Sequence, residues 1–108
     1  PDFTIEVQQL NESVQLGQIV RTKAGRDRGK WMVVVGFEKE SFVYLTDGRS
    51  RKTEKPKLKK LKHVAKTNCI SQEIAEALNN DGQVSDELVK RVLISYQEIT
   101  EKKERDVN

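Results

Sequence analysis

The hydrophobic positions of this chain change their spacing part-way along, and the change divides it. Residues 17–37, GQIVRTKAGRDRGKWMVVVGF, hold two apolar stretches around a charged, glycine-containing segment. Gly17, Ile19 and the run WMVVV at 31–35 are strand material, because β-branched and aromatic side chains suit a pleated, half-buried surface. Residues 24–30 cannot continue a strand, so the chain reverses there into a hairpin with a basic tip. Gly25 and Gly29 allow positive φ at both ends of that turn and present Arg26, Asp27 and Arg28 together. On the first strand Arg21 and Lys23 alternate with Val20 and Thr22, which puts both bases on the outward face. The WMVVV run is too continuously apolar for a strand wetted on one face, as expected where a strand curves through a closed barrel. A turn at 38–41 leads to a third strand at 42–46, closed by Asp47-Gly48.

Residues 49–62, RSRKTEKPKLKKLK, carry eight bases, Arg49, Arg51, Lys52, Lys55, Lys57, Lys59, Lys60 and Lys62, against Glu54. Pro56 removes a backbone donor and argues against one unbroken helix or a central strand, so the segment reads as a loop leading into an edge strand. Leu58, Leu61 and Val64 anchor its flanks, and residues 63–65 read as the closing strand. From Thr67 the period becomes helical. Ser71 is a good N-cap with Glu73 in the first turn, and the stripe of Ile70, Ile74, Ala77 and Leu78 stops at Asn79-Asn80-Asp81-Gly82. Ser85, followed by Asp86 and Glu87, starts a second helix whose apolar face is Leu88, Val92, Tyr96 and Ile99, flanked by Val89 and Leu93. Two such helices bury too little alone and must dock on the strands, on a second copy or on a partner. Before all this, Phe3, Ile5 and Val7 alternate, a pattern that fits either a short edge strand or a loosely docked arm.

Charge sharpens the division. Residues 1–13 carry −3; residues 14–67 hold fifteen Lys and Arg against five Asp and Glu; residues 68–108 hold five against nine. A cationic middle with acidic flanks points to a polyanion partner, and binding by phosphate contacts falls steeply with salt. Candidate catalysis finds no support: no Ser or Cys nucleophile stands in a recognisable arrangement with His63 and an acid, and no phosphate-cradling glycine loop appears. The single Cys69 and single His63 leave no internal disulfide and no metal pair, so neither a metal nor a cofactor is expected. No apolar run approaches the ~20 residues of a membrane span, and residues 1–13 lack the features of a signal peptide, which makes the expected compartment cytoplasmic.

Residues 17–37 together with DGRSRKTEKPKLKKLKH at 47–63 resemble the KOW motif. The similarity is greatest to the archaeal and eukaryotic large-subunit ribosomal type and to its small bacterial relatives, the KOW-domain RNA-binding proteins. Gly29 matches the motif's characteristic glycine, and the resemblance covers about residues 14–66. It implies a small SH3-like barrel at 14–66 with a basic loop at 49–62; joined to the arm at 1–13 and to the helical extension at 67–108, which the periodicity reads as a two-helix hairpin, the expected chain is α+β. It further implies binding of structured RNA, ribosomal RNA above all, and a ribosome-associated role. The expected contact residues are Arg21, Lys23, Arg26, Arg28 and Lys30 at the hairpin and Arg49, Arg51, Lys52, Lys57, Lys59 and Lys60 in the loop. Trp31 has two readings, packing in or over the barrel or stacking on a base or sugar beside Arg28 and Lys30. The alternative function is a protein-interaction module of a transcription or translation factor, using the barrel and the acidic helices. Under either reading the helices are a candidate protein contact.

Overall fold

The computed structural model describes residues 3–5, 14–39 and 41–106. Residues 1–2 and 6–13 of the arm, Val7 among them, and Glu40 of the 38–41 turn lie outside the described residues. Six strands, β1 (Phe3–Ile5), β2 (Gln18–Thr22), β3 (Trp31–Glu38), β4 (Phe42–Thr46), β5 (Lys57–Lys60) and β6 (Val64–Ser71), are followed by helices α1 (Gln72–Asp81) and α2 (Asp86–Asp106). All pairings are antiparallel, in the order β1-β6-β2-β3-β4-β5. The chain is thus α+β, an antiparallel sheet followed by two helices. Among the described residues no ladder joins β1 to β5.

The continuous apolar run in β3 is explained by two cores on opposite faces of one sheet. Met32 and Val34 point to one side and meet Val14, Val20, Val43, Leu45 and Val64 in a cluster made without either helix. Trp31 and Val33 point to the other side, where Val33 and Ile19 meet Ile74 of α1 and Val89, Val92 and Leu93 of α2. Alternate residues of one strand therefore serve different hydrophobic layers, and none needs to be polar. Register shifts in β2 between Gln18 and Val20, and in β3 between Val34 and Gly36, bend the central strands, as bulges do.

Two boundaries differ from the sequence expectation. His63 lies in a short 3₁₀ turn, Leu61–His63, and β6 begins only at Val64. β6 then continues beyond residue 66 to Ser71, because its far half pairs with β1 through Phe3↔Ser71, Thr4↔Ile70 and Ile5↔Cys69. The pairing also resolves the two readings of residues 3–5 in favour of an edge strand. Buried Gln18 reinforces the β2–β6 seam, its Nε2 donating to the Thr67 carbonyl at 2.7 Å while the Thr67 hydroxyl donates to the Ile19 carbonyl at 2.7 Å. Strand gives way to helix where Ser71 caps α1, its Oγ accepting from the Ile74 N–H, and α1 ends at Gly82 in the left-handed conformation.

Both helices lie against the sheet, with an Arg91–Glu73 ion pair of 3.1 Å between them. The buried face of α2 is rotated from the expected one: Val89, Val92 and Leu93 are its centre, and Ile99 is 49% exposed. Cys69, a free thiol on β6, is only partly buried at the edge of this layer. No helix among the described residues is long and apolar enough to cross a membrane.

Candidate functional site

The β2–β3 turn and the segment after β4 are separated by some twenty residues of sequence and meet in space. The organiser is Asp27. It is not displayed with its arginine neighbours at the tip, as its position suggested, but is 3% exposed. Its carboxylate accepts from Arg51 Nε at 3.1 Å, lies 3.0 Å from another Arg51 nitrogen, and is 3.6 Å from Lys30 Nζ. Burial pushes this carboxyl up, but the Arg51 hydrogen bond and the charges of Arg51, Lys30 and Lys59 outweigh it and hold the group below the usual carboxylate range. The Thr22 hydroxyl donates to the Asp27 carbonyl, and the Gly29 N–H donates to the Thr22 carbonyl at 2.8 Å, which closes the tip. Gly25 and Gly29 both take the positive φ that the turn requires.

The facing loop is built around Asp47. Its carboxylate accepts from the backbone N–H of Arg49 and Arg51 at 2.9 Å each and from the Ser50 hydroxyl at 3.0 Å. Burial works against its ionisation, but these donors and the charge of Lys30 keep its pKa below the ordinary value. Lys30 Nζ donates to Ser50 Oγ at 3.1 Å and ties the two turns together. The loop in turn rests on α2: the Thr53 N–H donates to the Asp86 carboxylate at 2.7 Å.

The expected contact residues fall into four groups in this frame. Arg26, Arg28, Arg49 and Lys52 are exposed and make no ion pair among the described residues, and exposed Lys30 stands beside them. Arg51 and Lys59 are structural in geometry. Arg51 is spent on Asp27, and Lys59 is 8% exposed with Nζ donating to the Ala24 carbonyl at 2.7 Å. The expectation of exposed lysines at 57, 59 and 60 therefore fails at Lys59, which faces the strand-only core beside Val43 while its neighbour Leu58 is turned outward. Lys57 is partly buried on the same strand. Lys23 and Lys60 belong to a separate hollow of about 460 Å³, with Lys62 and Lys66 around a floor of Val14, Leu61 and Val64. Arg21 and Trp31 form the last group: the Arg21 guanidinium sits over the indole, 5.0 Å from its centroid, with Nε donating to the Gly29 carbonyl. Trp31 also meets Tyr96 of α2 edge-on at 5.1 Å, so it packs against the helical layer with part of its ring open.

The expected residues omitted α2. Lys90, Ile94 and Gln97 line a groove with Gly29, Lys30, Trp31 and Arg49, and Lys90 also lies 3.4 Å from exposed Glu87. These three recur at i, i+4 and i+7, a stripe that is visible in the sequence beside the buried one. Spacing alone does not reveal that the basic turns lie opposite it.

Fold and site together define a small α+β domain with a cationic face held in place by one buried carboxylate, Asp27, and one partly buried one, Asp47. No protein-family model matches the chain, and no curated protein is significantly similar to it.

Proposed function

We propose that this chain is an RNA-binding domain of the KOW kind, its strands forming a small SH3-like barrel, and that it associates with structured RNA, ribosomal RNA foremost, in the cytoplasm. It works as a binding protein and not as a catalyst. The observation that carries the reading is the union of two basic segments, 26–30 and 49–52, by the Lys30–Ser50 and Arg51–Asp27 bonds into one face with Arg26, Arg28, Arg49 and Lys52 projecting from it. Like charges gathered this closely repel each other, and a phosphate backbone relieves that repulsion. Double-stranded A-form RNA shows few base edges to short turns, so these residues hold phosphate and sugar and recognise shape. Arg51 and Lys59 keep the face in position from beneath.

Replacing Arg26, Arg28, Arg49 and Lys52 together with Gln tests this. Each phosphate contact removed lowers the magnitude of the logarithmic salt slope by about 0.7 to 0.9, so the quadruple variant loses about 3 units on a structured RNA, with thermal stability unchanged. An unchanged slope in a folded quadruple variant overturns the assignment. Binding to a protein partner with little salt dependence would favour the interaction-module reading instead.

A further inference from the structure

The groove between β3, the 47–51 loop and α2 has a composition that phosphate contact alone does not explain. Its volume is about 260 Å³, with Lys30, Arg49, Lys90 and Asp47 on its walls and Trp31, Leu93 and Ile94 forming an apolar floor; the Asp47 carboxylate is taken up by the Arg49 and Arg51 N–H groups and the Ser50 hydroxyl. Ile94 is 44% exposed, although the centre of the buried face of α2 passes through neighbouring Leu93. A lone surface isoleucine is ordinary; one set beside an open indole and ringed by three cations is a built feature. At its far end Gln97 and Trp31 are shared with an adjoining hollow of about 310 Å³ that also holds Arg21, Thr100 and Glu101. There Glu101 offsets Arg21, whereas at the other end Lys30, Arg49 and Lys90 outnumber Asp47, which makes that end the place for an anion. An anion site, an apolar floor and an amide in sequence match the parts of one nucleotide. The volume is smaller than the roughly 300–1,000 Å³ of sites that enclose a whole small molecule, so the fit is to one unit of a polymer.

We infer that this groove receives a single unpaired nucleotide of the bound RNA. Its phosphate lies on Lys30, Arg49 and Lys90, its ring lies against Ile94, Leu93 and the open part of Trp31, and Gln97 meets its polar edge. The base must be unpaired because a continuous A-form helix keeps its bases stacked and inaccessible to such a floor. α2 is then one wall of the RNA site, and the preferred ligand is a helix interrupted by a bulge or loop. This inference rests on the RNA-binding reading above.

The test uses the full chain and two RNA hairpins that differ only by one bulged uridine. The parent is expected to bind the bulged form at least about fivefold more tightly than the paired one, the scale of contact between one base and an aromatic floor. The bulged form alone should change the fluorescence of Trp31, the only tryptophan. Ile94→Ser and Lys90→Gln, both at positions in contact with solvent, should each abolish the preference, and Ile94→Ser, which removes no charge, should leave affinity for the paired form unchanged. Arg26→Gln with Arg28→Gln should weaken both forms equally. Equal affinity of the parent for the two RNAs, or a full preference retained by natively folded Ile94→Ser and Lys90→Gln variants, overturns the inference while leaving the RNA reading intact. Failure of the parent to bind either RNA overturns both.

Discussion

Asp27 shows how one buried charge can arrange many exposed ones. It stands between two arginines in sequence, and in the fold its side chain turns inward and joins Arg51, Lys30 and Lys59 around a single carboxylate. Removing that charge leaves the Arg51 guanidinium without its counterion and takes a favourable negative charge from the neighbourhood of the Lys59 ammonium, which is almost wholly shielded from water. Asp27→Asn should therefore cost about 1–3 kcal/mol at neutral pH, less than for a fully buried pair because Arg51 and Lys30 stay partly in solvent. The pH dependence has a definite sign. The folded-state pKa of Asp27 is lowered, so its contribution is complete above the unfolded carboxylate value of about 4 and is lost as pH falls from there through the folded value. Urea midpoints of parent and variant at neutral pH and across that acid range measure both effects. The two proteins should converge in acid, and a gap that stays constant with pH would refute the assignment.

At the scale of elements, the basic loop is placed as much by α2 as by its own turn. Gly48 has a φ of +76°, and a Cβ added there would come within 2.7 Å of the Asp86 backbone carbonyl at the start of α2. Gly29 has a φ of +86° and nothing near it, so a side chain there meets conformational strain alone. Gly29→Ala should lose about 1 kcal/mol and Gly48→Ala about 2–3 kcal/mol, since only the second must also push a backbone aside. Thermal melts of the two variants rank them. A Gly29 variant less stable than the Gly48 variant would show that the loop does not depend on its seat against the helix.

For the molecule as a whole, the two hydrophobic layers share one sheet. Ile19 and Val33 are completely buried, and among the described residues their covering layer comes from the helices. Burying an aliphatic side chain is worth about 1.5–3 kcal/mol, so uncovering this face removes an amount comparable with the whole stability of a small domain, about 5–15 kcal/mol. The fragment 1–71, which keeps every strand and lacks both helices, should show no cooperative thermal transition and should bind a hydrophobic dye. A sharp two-state melt of that fragment would refute the dependence, and would mean that the strand-only core around Met32 and Leu45 suffices.

Much of this architecture was legible in the sequence because it is local. A residue's own conformational limits and its neighbours three or four positions away decided the β2–β3 turn with its two glycines, the Asp47-Gly48 turn, the Ser71 and Ser85 caps and the Gly82 stop. Charge segregation, a sum over residues, was equally plain. The tertiary structure alone decided which side of an amphipathic segment would be covered and which bases would stay free. Periodicity divides a helix into stripes but does not say what packs on them, so the buried centre of α2 moved to Val89, Val92 and Leu93, and Lys90 and Ile94 came to face the basic turns. In β5 the alternation inverted, with Leu58 outward and Lys59 inward, because the Ala24 carbonyl, 35 residues away, accepts the lysine's hydrogen bond. Asp27 and Arg51 likewise meet across 24 residues. The sequence by itself determined the turns, the caps and the cationic character of the middle of the chain; the fold determined how those cations are deployed, because only long-range contact settles which charges are neutralised and which face water.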